Sequence, residues 1–354
     1  MLKHLEVHNF KAWHSLDLKL GKVTGLFGTN SSGKSSVLQF LLLLKQTKDA
    51  TDRGLVLDFG GPNQLVNLGT YESIVHRGDH TAEIAWTMHW DLVKTLRVAD
   101  PMSPRNPALF EGKSLQESSR VAFVDSHLST RYVKYGFSDA VFSIEPKGAS
   151  SDKFDLASEG DTAPQLIRNP GRPWPLPHPL KTHLFPDQAY IYFQNTGFLR
   201  DFVAEYEALM DRVVYLGPLR EHPQREYRWS GASPHDVGPR GERTVDAILA
   251  ATARNDEQNL APRRRYMKFQ EMIAYWLREL GLIHSFEIKE IGSGTNLYQA
   301  CVRTAPDSPE TMLTDVGFGV SQILPVLVLL CRVGGGAPQG WPPSAAQTAR
   351  TVFP

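Results

Sequence analysis

Gly28-Thr29-Asn30-Ser31-Ser32-Gly33-Lys34-Ser35 has the spacing G-x-x-x-x-G-K-[ST] and lies between two apolar segments. The segment before it, residues 23–27, reads V-T-G-L-F and predicts a short strand that runs directly into the glycine loop. The segment after it, residues 37–45, is apolar almost all round, which a helix tolerates only when it is buried. A strand, a glycine loop and a buried helix form the context that a phosphate-binding loop requires.

The residue types of this motif suit a polyphosphate that is wrapped mainly by main-chain groups. Gly28 and Gly33 permit the turn and the close approach, while successive N–H groups and the positive end of the helix face the anion. Lys34 would reach the β- and γ-phosphates, and the Ser35 hydroxyl would ligate Mg²⁺. The sequence therefore predicts ATP and Mg²⁺ as ligands of a P-loop NTPase, with contacts from Gly28, Thr29, Asn30, Ser31, Ser32, Gly33, Lys34, Ser35 and Ser36.

Composition restricts the class of protein. The 354 residues include 38 Lys plus Arg and 38 Asp plus Glu, so no overall basic field attracts nucleic acid and any such contact needs a local patch. The two cysteines lack metal-ligand spacing, which argues against disulfide or zinc frameworks and fits a reducing cytoplasm. No signal-like segment and no apolar run long enough to span a bilayer is present, so we expect a cytoplasmic protein with no membrane partner.

The rest of the chain differs in how clearly it is patterned. Residues 81–90 alternate cleanly and predict a half-exposed antiparallel strand. Residues 96–189 are weakly patterned and end in a proline-rich run at 169–179, which indicates a surface insertion or, alternatively, a ligand for a proline-recognition domain. Order returns with predicted amphipathic helices at 198–210 and 266–280, a short strand at 213–217 and a hairpin between 286 and 302.

A second glycine motif occupies residues 313–322, L-T-D-V-G-F-G-V-S-Q, and precedes an apolar helix that starts at Ile323. Two glycines and a serine at a helix start can form a further phosphate site, or they can simply be a capped helix entry without a ligand.

Together these segments resemble the ATP-binding heads of the SMC, RecF and OLD group, which are ABC-type ATPases, and bacterial AAA-family ATPases. The resemblance rests on N-F-K at 9–11, the loop at 27–36, Y-L-G-P-L-R at 215–220, the glycines at 238 and 241, and the motif at 315–322. It covers roughly residues 1–95 and 190–330. The implied fold is α/β: a P-loop NTPase with a mixed central sheet, an antiparallel β subdomain and a helical or inserted region.

The resemblance also implies a mechanism. Two heads would dimerise through ATP, and Ser321, supported by Gly317 and Gly319, would contact the γ-phosphate held by the other copy. Gln64 would sense Mg²⁺ and the attacking water, or it is an ordinary loop glutamine. The switch would act on an effector protein or on DNA, in genome maintenance or anti-phage defence. Local phosphate contacts could come from Arg220, Arg225, Arg228 and Arg263-Arg264-Arg265, although such runs are usually a solvated face.

One departure from that family concerns hydrolysis. The family needs an Asp for Mg²⁺ and a Glu for water on a strand after the signature, and no Asp or Glu follows Asp315. We therefore expect an ATPase head in two parts, 1–95 and 190–333, around the insertion at 96–189, with a disordered or out-of-frame tail at 334–354. The alternative is a nucleotide-binding regulatory module that does not hydrolyse ATP. A small-molecule kinase or a GTPase would share the loop, but no Asn-Lys-x-Asp string is present and the second motif argues against a simple kinase.

Overall fold

The computed structural model describes residues 1–98, 110–148, 153–161, 163–259, 266–334 and 350–352. The chain divides into two compact units, Met1–Asp211 and Arg212–Pro354.

Within its described residues, the first unit contains seven strands and four helices. The strands are β1 Leu2–Phe10, β2 Trp13–Lys19, β3 Ile84–Val98, β4 Phe110–Val124, β5 His127–Phe137, β6 Ala140–Pro146 and β7 Phe154–Glu159. The helices are α1 Lys34–Asp49, α2 Tyr71–Ile74, α3 Asp187–Tyr192 and α4 Leu199–Asp211, with a 3₁₀ turn at His76–Gly78.

These seven strands form one antiparallel sheet in the order β2-β1-β3-β4-β5-β6-β7. Along the first half of β3 buried and more exposed residues alternate, so the prediction of a half-exposed antiparallel strand at 81–90 is confirmed. Helices α1 and α4 place aromatic rings against buried rings of the sheet: Phe40 lies 5.5 Å from Trp86, and Phe202 lies 5.3 Å from Phe137. The core of the first unit therefore lies between these two helices and the sheet.

The predicted strand at residues 23–27 is wrong. In the structure this segment belongs to no sheet, and the side chains of Val23 and Phe27 are 92% and 94% exposed. An apolar run becomes a buried strand only where a neighbouring strand and a covering layer are available to it. Among the described residues of this unit, no strand pairs with residues 23–27, which form the connection from the β2 hairpin to the glycine loop.

Residues 96–189 contain more structure than their weak pattern indicated. Strands β4 to β7 lie within this segment and extend the sheet begun by β1 to β3. The proline-rich run also touches the sheet, because Leu176 is buried and forms an antiparallel bridge with Phe154. Trp174 in the same run is half-exposed and lies beneath the Arg172 guanidinium.

In the part of the second unit that the structure describes, there are a four-stranded antiparallel sheet, two further strand pairs and three helices. Its elements are β8 Val213–Tyr215, β9 Tyr227–Arg228, α5 Thr244–Ala253, β10 Glu257–Asn259, β11 Tyr266–Lys268, α6 Phe269–Glu279, β12 Ser285–Glu290, β13 Leu297–Arg303, β14 Thr311–Met312, α7 Phe318–Gly334 and β15 Arg350–Val352, with a 3₁₀ turn at Leu313–Asp315. β13 pairs with β12, β14 and β9, while β10 pairs with β11. The predicted hairpin is confirmed by the β12–β13 pair, and the predicted helix at 198–210 is confirmed by α4. The helix predicted at 266–280 is confirmed over Phe269–Glu279, whereas Tyr266–Lys268 form strand β11 instead.

The end of the chain lies mostly outside the described residues. Of the tail predicted for 334–354, the structure describes Gly334 at the end of α7 and residues 350–352, which form β15 and pair in parallel with β8. Across the described part of the chain, no helix combines the length and the apolar character needed to cross a membrane.

Candidate functional site

Helix α1 fixes the position of the glycine motif. Its residues 37–44 are buried apart from Gln39, and the Phe40 ring contacts Phe10 edge-on at 5.1 Å. A helix that is apolar almost all round is stable only inside a core, which explains why α1 packs against the sheet. The first residues of this anchored helix are Lys34 and Ser35, so their main-chain positions are determined by the packing of the helix.

The loop before α1 has the left-handed conformations that its glycines allow. Gly28 has φ 153° and Gly33, the N-cap of α1, has φ 89°. A Cβ at Gly33 would lie 2.9 Å from Trp13 Cε2 and 3.0 Å from Ala12 Cβ, which leaves no space for a side chain. Ser31 also has a positive φ of 63°. Such alternation turns successive N–H groups inward and is typical of an anion-binding concavity.

The Lys34 side chain folds back over the loop. Its Nζ donates to the carbonyl oxygens of Gly28 at 2.9 Å and Thr29 at 2.6 Å, and it lies 3.5 Å from Ser32 Oγ. The ammonium group is therefore held by main-chain dipoles at the concave side of the loop. Ser35 is exposed and able to reach a ligand, whereas Ser36 is buried and its N–H donates to the Gly33 carbonyl at 2.9 Å.

Residues 9–13, which include the N-F-K segment and the first residue of β2, contact the residue before β3, helix α1 and the glycine loop. Asn9 has φ 57° and donates through Nδ2 to the Glu83 carbonyl at 2.9 Å. Lys11 Nζ donates to Gln39 Oε1 of α1 at 2.8 Å, and partial burial lowers the pKa of Lys11. Trp13 Nε1 donates to the Gly33 carbonyl at 3.3 Å. The sequence pattern did not single out Trp13, because only the folded structure brings its ring next to Gly33.

Gln64 is tied to the other end of α1. It is an exposed turn residue whose Nε2 donates to Asp58 Oδ2 at 3.2 Å. The main chain of Asp58 is in turn bonded to Gln46 and Thr47 near the C-terminus of α1. Gln46 lies about 17 Å along the helix from Ser35, given a rise of 1.5 Å per residue. The structure thus brings the loop residues 28–36 together and anchors Gln64 away from Ser35.

The second glycine motif starts α7 in the second unit. Gly317 and Gly319 are exposed, and the half-exposed Phe318 ring lies 5.2 Å from His222. Ser321 is buried, its Oγ donates to the Phe318 carbonyl at 2.7 Å, and it lines a small cavity beside Pro325. The main chain of residues 317–319 is therefore accessible at this helix start, while the Ser321 hydroxyl is engaged within the unit.

The arginines proposed for phosphate contacts differ in exposure and in their partners. Arg225 is exposed and pairs with Asp315 at 2.8 Å, a surface ion pair of small energetic value. Arg228 is exposed on β9 and Arg220 is partly buried. Residues 263–265 lie outside the described residues.

Comparison with known proteins adds one match. Residues 1–95 of the 354 match the family model of the AAA ATPase domain. The matched segment holds β1, β2, the glycine loop, α1 and most of β3, and it supports an AAA-type ATPase. A search of curated proteins finds no match to the chain.

Proposed function

We propose that the protein binds ATP with Mg²⁺ at residues 28–36, as an AAA-type ATPase head. The observation that carries the proposal is the Lys34 ammonium on the concave side of a loop with three left-handed residues, at the start of a buried helix. Phosphate oxygens would accept hydrogen bonds from loop N–H groups and from Lys34, and they would replace the Gly28 and Thr29 carbonyls as its acceptors. Ser35, which is exposed beside Lys34, would contribute its hydroxyl to Mg²⁺.

A titration with a fluorescent ATP analogue tests this proposal. Lys34→Ala should weaken binding at least about tenfold, because it removes charge-assisted hydrogen bonds to phosphate. Lys22→Ala is the matched control, since Lys22 is an exposed lysine that precedes the loop. Ser35→Ala should lower the affinity measured with Mg²⁺ more than the affinity measured without it. Equal affinity of wild type and Lys34→Ala would disprove binding at this loop.

Association of two copies is the second part of the proposal. The exposed main chain of residues 317–319 in one copy would contact the γ-phosphate bound by the other, and Ser321 would hold that turn through its bond to Phe318. This would make the protein a nucleotide-driven switch of the SMC, RecF and OLD kind, cytoplasmic, acting on an effector protein or on DNA. Light scattering with ATP should show a dimer that Gly317→Asp abolishes and Gly197→Asp, at an exposed glycine of the first unit, retains.

The proposed function has two versions, which differ in whether the protein hydrolyses the ATP that it binds. In the described part of the chain, no carboxylate forms a hydrogen bond or ion pair with Lys34 or Ser35, and no Asp or Glu follows Asp315 in the sequence. The alternative to an ATPase is a module that binds ATP without hydrolysing it by itself. Phosphate release that depends on Lys34 would contradict this version and would require acids supplied by another part of the protein or by a partner.

A further inference from the structure

The C-terminal end of α1 is held by a lysine from a distant turn. Lys181 Nζ donates to the carbonyl oxygens of Thr47 at 2.9 Å, Lys48 at 3.2 Å and Ala50 at 2.6 Å. The last carbonyls of a helix have no partner within the helix, and a cation there also faces the negative end of the helix dipole. Lys181 as a whole is only 4% exposed, and its ammonium group is at least partly withdrawn from water.

Lys181 is itself fixed by the sheet. It belongs to residues 180–184, here named the clamp turn, which is closed by a bond from Leu184 N to the Leu180 carbonyl. Two buried side chains of β5 donate to this turn: Thr130 Oγ1 to the Lys181 carbonyl at 2.7 Å, and Tyr135 Oη to the His183 carbonyl at 2.8 Å.

A third anchor comes from β4, where the Ser119 hydroxyl donates to the Thr182 carbonyl. Lys181 has φ 45°, a conformation that costs energy for a residue with a side chain and persists only where the surroundings hold it. The three anchors provide that support.

Ending a helix with a buried lysine costs free energy, because the charged side chain loses contact with water. Burial lowers the pKa of Lys181, which shows that its charged form is disfavoured by the loss of water. A neutral donor could bond the same carbonyls without that cost, as glycine and asparagine caps do at many helix ends. Lys181 therefore holds the end of α1 by a charged contact, and the helix that it holds begins with Lys34 and Ser35.

We propose that Lys181 is a positioning residue for the nucleotide site, acting through α1. The inference rests on the proposed function, because it takes residues 28–36 as the site of nucleotide binding. Helix α1 is a rod of 16 residues, about 24 Å long, so a change at its C-terminal end moves or tilts its N-terminal end. Core packing of residues 37–44 and the clamp turn together hold the orientation of α1 that places Lys34 and Ser35 at the loop. Without Lys181, we expect the tilt of α1 relative to Trp13 and Gly33 to change.

Lys181→Met tests this inference, because methionine keeps the length of the side chain and removes the charge and the donors. ATP affinity should fall about tenfold, which corresponds to a loss of about 1.4 kcal/mol in contacts with the phosphates. Lys181→Arg should restore most of the affinity, because a guanidinium group can donate to several carbonyls. Phe142→Leu, on β6, serves as a control chosen for a similar loss of thermal stability. All titrations are made at a temperature at which every variant is folded, and the control should bind ATP as wild type does.

Two results would overturn the inference. One is an unchanged ATP affinity in Lys181→Met despite a lower melting temperature, which would make Lys181 a structural cap only. The other is equal loss of affinity in Lys181→Met and Phe142→Leu. Hydrogen exchange of the Ser36 and Val37 amides without nucleotide separates this test from the proposed function. Faster exchange in Lys181→Met alone supports the positioning role even if wild type fails to bind ATP, and unchanged exchange with unchanged affinity rejects it.

Discussion

The Trp13 indole nitrogen lies 3.3 Å from the Gly33 carbonyl oxygen and donates a hydrogen bond to it. The same ring occupies the space in which a Gly33 side chain would stand. One residue of β2 thus both supports the N-cap of α1 and excludes any side chain from it. The glycine loop is therefore built jointly by its own sequence and by a strand that precedes it.

Trp13→Phe should weaken ATP binding without unfolding the protein. Phenylalanine keeps most of the ring packing and removes the donor to Gly33, which corresponds to about 1 kcal/mol, or roughly fivefold in affinity. Nucleotide titration measures the change, and Trp174→Phe, at a half-exposed tryptophan of the proline-rich run, is the control. Wild-type affinity in Trp13→Phe would show that the bond to Gly33 does not contribute to the site.

Gly33→Ala should affect both stability and binding. The alanine would have to keep a φ of 89°, and its Cβ would press on Trp13 and Ala12. We therefore expect a loss of about 1–3 kcal/mol in the free energy of unfolding. Urea unfolding and nucleotide titration give the two values. Gly197→Ala is the control, because a Cβ at Gly197 meets no atom within 4 Å. If both variants are equally stable, the close approach of Trp13 to Gly33 does not exist in solution.

Glu117 should make stability decrease as pH rises. This β4 residue is fully buried, and burial raises its pKa to about 8. Ser119 contacts both Glu117 Oε1 and the Thr182 carbonyl, and its hydroxyl has one proton for two acceptors. Because the pKa of Glu117 is raised to about 8, its carboxyl group is protonated at neutral pH and can donate to Ser119, while Ser119 donates to Thr182.

The sign of the pH effect follows from the two states. In the unfolded chain Glu117 loses its proton near pH ~4.3, while the folded protein keeps it up to about pH 8. Stability contributed by this group is thus complete below pH ~4.3, falls between that value and about 8, and then levels off, with a total on the order of 5 kcal/mol. Glu117→Gln should remove this decline and be more stable than wild type at pH 8. Urea unfolding at pH 5, 6.5 and 8 measures it, and parallel pH profiles of the two proteins would contradict a protonated Glu117.

Phe27→Ala should have almost no effect on stability. Its side chain is 94% exposed, and substitutions at such positions usually change the free energy of unfolding by less than about 0.5 kcal/mol. Phe40→Ala in α1 is the contrast, because loss of a buried phenylalanine costs about 3–5 kcal/mol. A cost for Phe27→Ala close to that of Phe40→Ala would mean that residues 23–27 form a buried strand after all.

Local patterns predicted the elements that carry their own signal. The apolar residues after Lys34 predicted α1, and the alternation at 81–90 predicted β3, because burial on one or on all sides dictates the residue types directly. The strand predicted at 23–27 failed since its apolar character says nothing about whether a partner strand is present. In β4 the buried Glu117, Ser118 and Ser119 break the apolar alternation, so the pattern gave no strand there.

The support of the candidate site could not be predicted from sequence. The loop residues were identifiable because main-chain wrapping of phosphate requires glycines at fixed spacing. Lys181 lies 134 residues from Thr47, and no local signal connects a lysine in a proline-rich segment with the end of a helix. The bond from Trp13 to Gly33 likewise depends on the turn between β2 and α1. Contacts of this kind follow from the fold, and only the structure reveals them.

The exposed residues Val23 and Phe27 also affect how the protein behaves in concentrated solution. They belong to a segment outside any sheet, and their exposed apolar side chains form a surface that other molecules can contact. Preparations should therefore self-associate as concentration rises, by a route that needs no nucleotide. Val23→Lys should therefore reduce this self-association and leave intact the glycine loop on which the proposed nucleotide-driven switch depends.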